Sequence, residues 1–332
     1  MTDDRGARTP IEEGRAHAED PRMPLEGGPG GRMPTEQSAG SEQPDVPLQA
    51  QWRRALRRFL RHRVAMASLT IFAVIAIASF LAGWIAPYSY EEIDLQNRSS
   101  PPTLEAYHFF GTDKVGRDYF SRVLFGTQTS VQVALLVALL STVIGTILGA
   151  VSGYYRGIVD NALMRLVDLV ITVPFLAVVL VAASYLGSGS PVKIAIILGL
   201  VMWTTIARIV RGQSLSLREA EYVQAARVSG AGDLRIMFRH IVPNTMGPII
   251  VNATLVVAQA ILLESTLSFL GFGIEPPTPA LGKLIADGQG SMLDQWWLVV
   301  MPGLVIVTLS LTINFIGDGL RDALDPSTSG RG

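Results

Sequence analysis

The sequence predicts an all-α, polytopic membrane protein in which an amphipathic interfacial helix precedes six transmembrane helices. The first observation is composition: of 332 residues, 49% are hydrophobic and 17% are charged, whereas soluble domains average about 25% charged residues. The second is patterning, because the apolar residues cluster in six segments close to the ~20 residues that a helix needs to cross ~30 Å of hydrocarbon. These segments lie at about 64–86, 130–153, 166–187, 191–210, 245–270 and 298–316.

The alternative, a large soluble protein with buried helices, fits the pattern poorly. Soluble core helices are mostly shorter and keep a polar face, whereas residues 131–151 contain no charged residue. Pro174 lies inside the third segment and predicts a kink there. We therefore expect residues 64–326 to form one transmembrane domain.

Residues 1–50 are predicted to be a disordered polar tail. They contain seven proline, seven glycine, ten acidic and five basic residues, and such a segment buries too little apolar surface to offset its chain entropy. No apolar stretch follows a short basic start, so the tail does not match a signal peptide. Residues 327–332 are expected to be a flexible C-terminus.

Residues 51–63 are predicted to form the amphipathic interfacial helix. Their apolar residues recur at helical spacing and six arginines occupy other positions, a pattern suited to the headgroup layer of a membrane. Nucleic-acid binding is the alternative for a basic run, but this run leads directly into an apolar span. The apolar residues are Trp52, Ala55, Leu56, Phe59 and Leu60.

The arginine and lysine residues beside the spans predict the orientation. Regions 51–63, 154–165 and 208–240 contain six, two and six of them. The regions on the other side, 87–129, 188–193 and 271–297, contain four, one and one. We therefore expect both termini and the loop at 211–244 to be cytoplasmic.

Several chemistries are disfavoured by what the sequence lacks. It has no cysteine, which excludes disulfides and thiolate metal sites. No GxxxxGK[ST] phosphate loop occurs in it. An intramembrane enzyme would need a mid-span histidine pair or a Ser–His set, but all four histidines lie outside the predicted spans. They are His17, His62, His108 and His240.

The loop between the fourth and fifth spans, REAEYVQAARVSGAGDLRIMFRHIVPN at 218–244, predicts two short helices. Gly230 is a natural stop for the first, because glycine tolerates the left-handed conformation. Asp233 is expected to cap the second, and Pro243 to mark its end before the fifth span. The small side chains of Ala220, Ala225 and Ala226 permit a close fit into a partner groove. An ordinary amphipathic connecting loop is the alternative.

Polar residues within the spans are candidates for a solute path. Asn252 and Gln259 are seven residues apart in the fifth span and share a helix face, and Glu264 follows near its outer end. A path lined by these three and hydrogen bonding between helices both remain open.

Two charged clusters flank the spans. In 111–118, Gly111 and Gly116 flank Thr112, Asp113 and Lys114, and Arg117-Asp118 follow. This suggests a tight turn pinned by opposite charges, with direct substrate contact as the alternative. Beyond the sixth span, Asp318, Arg321 and Asp322 suggest a solvated helix end with one ion pair, or a contact with a partner.

Four stretches together resemble the permease subunits of ABC importers. Gln224-Ala225-Ala226, followed by Gly230 and Val242-Pro243, is similar to that family's "EAA" loop, with Gln224 in place of the usual glutamate and His240 in place of isoleucine. HFFGTDKVGRDYFSRVLFGTQTS at 108–130, ESTLSFLGFGIEPPTPALGKLIADG at 264–288 and NFIGDGLRDALDP at 314–326 resemble the dipeptide, oligopeptide and nickel importers. The likeness spans about residues 52–326 and suits the second, C-type permease of a peptide importer pair.

The resemblance implies the type I ABC importer permease fold and a subunit without a nucleotide site, in a bacterial plasma (inner) membrane. A homologous second permease would complete the path for di- and oligopeptides. An extracytoplasmic binding protein would deliver the peptide, and two cytoplasmic ATPase subunits would bind ATP and magnesium, so this chain itself would bind no cofactor or metal. The loop would couple to the ATPases through Glu221, Gln224, Ala225, Ala226, Gly230, Ala231, Asp233 and Pro243.

Two rival functions keep a transmembrane architecture. The same fold could import nickel or another small solute. An ion-driven secondary transporter would instead show inverted repeats and central ionisable residues, whereas here the ionisable residues lie at the span edges.

Overall fold

The computed structural model of the chain describes residues 48–186 and 189–325. The predicted tail lies outside the described residues except for its last three positions, which are helical. The predicted flexible C-terminus, 327–332, also lies outside them.

The described residues are mostly helical, and their longest non-helical stretch is 86–118. The α-helices are α1 (Leu48–Arg61), α2 (Arg63–Phe80), α3 (Ala82–Ile85), α4 (Tyr119–Tyr155), α5 (Gly157–Thr172), α6 (Phe175–Leu186), α7 (Pro191–Leu217), α8 (Glu221–Val228), α9 (Asp233–Ile236), α10 (Met246–Phe269), α11 (Leu281–Gly288) and α12 (Trp297–Leu324). A π-helical turn (Met237–Ile241) and a 3-10 turn (Val242–Thr245) join α9 to α10, and a second 3-10 turn (Gln289–Ser291) follows α11.

Five helical segments in the described part of the chain are long and apolar enough to cross a membrane: α2, α4, α7, the run 233–269 and α12. The pair α5 and α6 is also apolar enough for a span but is bent by 86°, so the described residues have five spans, or six if this pair is counted as one broken span. The kink predicted at Pro174 in the third segment, 166–187, is therefore confirmed, and the helical pair begins earlier than that segment, at Gly157. The break falls at Val173 and Pro174, because proline lacks the N–H that continues a helix and restricts the residue before it.

Several helices extend beyond the apolar segments that predicted them. α4 begins at Tyr119 rather than near 130, because the Asp118 carboxylate caps it by accepting from the Ser121 backbone N–H (2.7 Å). The interfacial helix ends at Arg61, two residues early, because the His62 ring accepts from the Ala65 backbone N–H (3.1 Å) and starts α2. Hydropathy marks where a helix meets hydrocarbon, and capping decides where it ends.

The core of the bundle lies between α4 and α7. Gly145, Gly149 and Gly153 follow at four-residue spacing along one face of α4. A Cβ added to them would lie 2.5–2.7 Å from the backbone oxygens of Trp203, Ala207 and Arg211 on α7. Glycines at this spacing allow two helix backbones to approach closely in a membrane.

Candidate functional site

The segment between α7 and α10 has the two short helices that the sequence predicted, separated by Gly230. Gly230 has φ +81° and ends α8. The Ala231 N–H donates to the Ala226 oxygen (3.1 Å) and the Gly230 N–H to the Arg227 oxygen (3.0 Å). This is a Schellman motif with Gly230 at its left-handed position, and it turns the chain sharply toward α9.

Two predictions about this segment are wrong. Asp233 does not cap α9, because Gly232 occupies the N-cap position and Asp233 is the first helical residue. Its carboxylate instead accepts from the Tyr154 hydroxyl (2.7 Å). Pro243 does not end the helix either, since it lies at the start of the 3-10 turn, where a missing N–H breaks no helical bond.

An apolar cluster fixes one face of this segment to the bundle. Val223 of α8 is fully buried beside Tyr154 at the end of α4. The cluster is completed by Ile236, Met237 and Ile241 from the following turns. α8 is therefore seated on the helix that forms the core, and a force on α8 reaches α4 directly.

Polar contacts reinforce this seat. The Arg218 guanidinium donates to the Tyr154 backbone oxygen (2.5 Å), and the guanidiniums of Arg218 and Arg227 lie 5.8 and 5.5 Å from the centre of the Tyr154 ring. Such cation–π contacts add stability beyond the hydrogen bonds. Tyr154 thus joins the ends of α4, α7, α8 and α9.

A second group of ion pairs braces the same end of the bundle. Arg211 of α7 holds the Asp160 carboxylate of α5 in two hydrogen bonds of 2.5 and 2.7 Å. Ser152 of α4 donates to the same carboxylate (2.5 Å). Arg156 pairs with Glu219 just before α8 (2.9 Å). Three helices and the loop are therefore connected at one level.

The opposite face of the segment is open. Four large apolar side chains project from it: Tyr222 (43% exposed), Val228 (89%), Leu234 (67%) and Phe238 (51%). We call these four residues the loop surface. A rigid apolar patch with a polar rim is typical of a docking site.

The eight residues predicted to couple to the ATPase subunits differ in their exposure to solvent. Ala226, Ala231 and Pro243 are half-buried and support the turn rather than its surface. The exposed members are Glu221, Gln224, Ala225, Gly230 and Asp233.

Sequence reasoning missed the loop surface and Tyr154. The sequence shows the apolar residues of the loop, but it does not separate the exposed Val228, Leu234 and Phe238 from the buried apolar residues of the same loop. Tyr154 carried no signal, since it ends a long apolar span.

The three predicted path residues do not share one environment. Gln259 is exposed and Asn252 is half-buried, with its amide donating to the Pro248 oxygen of its own helix (2.8 Å). Glu264 is fully buried between α10 and α4, where its carboxyl oxygens accept from Ser130 (2.6 Å) and Ser268 (2.7 Å). In this structure Glu264 joins two helices, and the lining of a path by Asn252 and Gln259 stays a prediction.

The predicted tight turn at 111–118 is present at the opposite end of α4. Gly111 and Gly116 have φ +74° and +99°. The Asp113 carboxylate accepts from the backbone N–H groups of Val115, Gly116 and Arg117. It also pairs with Arg117 (2.8 Å) and Arg122 (2.6 Å), so opposite charges hold the turn as predicted, with Arg122 as an additional partner.

The pKa of Asp113 reflects this balance. Burial alone would raise the pKa, but the Arg117 N–H and the charges of Arg122 and Arg117 outweigh burial and hold it below its ordinary value. A lowered pKa means that the contact stabilises the fold above the ordinary aspartate pKa of about 3.9. That contribution is lost as the pH falls through the lower folded pKa.

Asp113→Asn is expected to destabilise the chain by about 3–5 kcal/mol, because it leaves the buried Arg122 without its charge partner. Asp168→Asn makes the same change in the exposed Arg208–Asp168 pair (2.7 Å) and should cost at most about 1 kcal/mol. Thermal unfolding of the two purified variants checks this. Equal stability of the two would mean that the turn does not depend on the buried pair.

The cluster beyond the sixth span also differs from expectation. α12 continues through Asp318, Arg321 and Asp322 to Leu324. Within the described residues, no ion pair joins Asp318 to Arg321. Asp322 instead lies 3.8 Å from the His62 ring at the start of α2.

These features define a class: a polytopic helical membrane protein in which a loop of two short helices packs against the end of the bundle. Residues 145–330 match the family of binding-protein-dependent transport system inner membrane components, and residues 50–102 match the N-terminal transmembrane domain of oligopeptide transport permease C. The chain belongs to this family of ABC importer permeases, in its OppC-type branch.

Curated relatives agree with this assignment. The oligopeptide transport system permease protein OppC of Escherichia coli K12 is 44% identical over 287 residues, which cover 86% of this chain and 94% of the relative. OppC of Haemophilus influenzae is 42% identical, covering 83% and 88%. OppC of Mycobacterium bovis is 40% identical, covering 82% and 94%.

Proposed function

We propose that the chain forms, with a homologous permease, the path by which an ATP-driven importer moves di- and oligopeptides across the bacterial inner membrane. The observation that carries the proposal is the seated loop with its exposed apolar surface, in a chain that matches oligopeptide permeases over most of its length. Exposed apolar patches rimmed by polar residues mark protein–protein or membrane interaction sites.

The loop surface is the site for a cytoplasmic ATPase subunit in this proposal. Two such subunits bind ATP and magnesium, and this chain binds neither. When they close, the loop moves as one body, since Tyr154 and Val223 attach it to α4. α4 then carries the movement to the opposite end, where the Tyr119 hydroxyl donates to the Leu298 oxygen (2.6 Å). A binding protein delivers peptide at that end.

Uptake by the reconstituted complex tests the cargo. Labelled di- and oligopeptides should accumulate in vesicles with ATP, and nickel should not. Gln259→Leu should change the uptake kinetics with unchanged assembly, because it removes an exposed amide from the proposed path. Thr266→Leu, at another exposed position of α10, is the control. Nickel uptake without peptide uptake would support the small-solute alternative.

The orientation of the chain in the membrane is a second testable part of the proposal. We propose that the termini and the loop are cytoplasmic, from the arginine and lysine asymmetry. Single cysteines placed at position 100 and at the exposed position 293 should react with an impermeant thiol reagent in intact cells, and one at 215 should react only after lysis. Labelling at 215 in intact cells would reverse the assignment.

A further inference from the structure

The first helix, α1, has two chemically distinct faces. Arg53, Arg57 and Arg61 follow at four-residue spacing and form a basic row along it. Leu56 and Leu60 form the neighbouring row and are 58% and 54% exposed. Residues at this spacing lie one above another on a helix, so a row of positive charge runs beside a row of exposed leucine.

A third part of α1 is docked on the bundle and fixes the direction of the other two. Phe59 is buried in a cluster with Ala65, Ile316 and Ala323. The Arg58 guanidinium donates to the Asp325 oxygen at the end of α12 (3.3 Å). α1 is therefore held against the ends of α2 and α12 and cannot rotate to hide its leucines.

The exposed leucines of α1 lie next in sequence to a membrane span with exposed apolar residues. Val64 is 51% exposed at the start of α2, and Ile71 and Val74 of α2 are 46% and 62% exposed. Because α2 crosses hydrocarbon, the leucine row lies at the boundary of hydrocarbon and headgroups. The arginine row beside it then lies at the level of the phosphates, on whichever side of the membrane α1 is placed.

The positive charge on this face of α1 favours the binding of an anion. α1, LQAQWRRALRRFLR, contains no acidic residue. Among the described residues, no ion pair joins Arg53, Arg54, Arg57 or Arg61 to a carboxylate. Guanidinium groups match the oxygen geometry of phosphate.

We propose that the arginine row of α1 is a binding surface for anionic phospholipids. The headgroups of phosphatidylglycerol or similar lipids pair with Arg53, Arg57 and Arg61, while their acyl chains cover Leu56, Leu60 and Val64. The surface is separate from the loop surface and does not depend on the cargo or on ATPase coupling.

The test measures which lipids the full chain retains. The protein is reconstituted with equal amounts of phosphatidylcholine and phosphatidylglycerol and extracted in mild detergent, and bound lipid is quantified by mass spectrometry. Phosphatidylglycerol should be enriched about threefold or more over phosphatidylcholine, since each basic residue at an anionic surface contributes attraction. R53Q/R57Q/R61Q should return the ratio to that of the mixture.

A matched variant separates a built surface from general positive charge. R165Q/R235Q/R239Q also removes three exposed arginines and should keep the enrichment. Equal loss in both triple variants, or no enrichment in the wild type, would overturn the proposal. Enrichment that appears only after removal of residues 2–46 would show that the acidic tail occupies this face, which also overturns it for the complete chain.

Discussion

Gly149→Leu is expected to prevent the chain from folding in the membrane, the largest effect of any single substitution considered. A Cβ at this position would lie 2.5 Å from the Ala207 oxygen and 2.9 Å from the Val210 Cβ. The obstructing oxygen belongs to the backbone of α7 and cannot rotate away. Leucine would therefore separate α4 from α7, and the loss is measured as the fraction of protein recovered as a monodisperse species in detergent.

Gly149→Ala is a smaller substitution at the same position and is expected to have a smaller effect. Overpacking costs about 1–3 kcal/mol, partly offset by the roughly 1 kcal/mol that alanine gains over glycine in a helix. Gly303 in α12 is the control, because a Cβ there would meet no atom within 4 Å. Gly303→Ala should be neutral or stabilising. If both alanine variants unfold at the same temperature, close packing of α4 on α7 is not what these glycines provide.

The glycines also show what could have been read from the sequence. GTILGAVSG at 145–153 has small residues at four-residue spacing within an apolar segment, which is a known pattern for close helix packing. The pattern indicates which face of α4 is crowded. It does not name α7 as the partner, because that choice depends on the arrangement of all the spans.

Local hydropathy and helix-stop residues predicted the apolar spans and the two helices of the loop. They did not predict the features that depend on contacts between distant parts of the chain. Hydropathy located the third span but could not show the 86° bend, since a proline kink has no fixed angle. Asp233 satisfies the usual preference of an N-cap, but Gly232 holds that position and the Asp233 carboxylate bonds Tyr154 from another helix. Glu264 was predicted to line the path because an acidic residue within a span is costly. One of its two serine partners, Ser130, belongs to α4 and lies 134 residues away in sequence, so the sequence does not show the pair.

Substitution of Val228 and Leu234 on the loop surface is expected to have the second large effect. Val228→Asp with Leu234→Asp should remove the ATPase subunits from the purified complex, because each replaces an apolar contact with a charge. Burial of such a side chain contributes about 1.5–3 kcal/mol, so the pair should weaken the association by at least about 100-fold. Both side chains project into solvent, so the chain should still insert and still pair with its partner permease.

Gly230→Val tests the same contact through the backbone. A β-branched side chain at φ +81° costs about 1–2 kcal/mol, although space for it is open, so α9 and its exposed Leu234 would be redirected. Tyr154→Phe removes only the hydroxyl that holds Asp233. It should leave the ATPases bound and lower the response of hydrolysis to the binding protein.

Leu293→Asp is the control for the surface substitutions. Leu293 is 99% exposed in the turn after α11, so the change places the same charge at an equally open apolar site away from the loop. It should retain the ATPase subunits. If the Val228 and Leu234 variants also retained them, with full stimulated hydrolysis, the loop surface would not be the coupling site. The rigid contacts among Tyr154, Val223 and α4 would then serve only to close the end of the bundle.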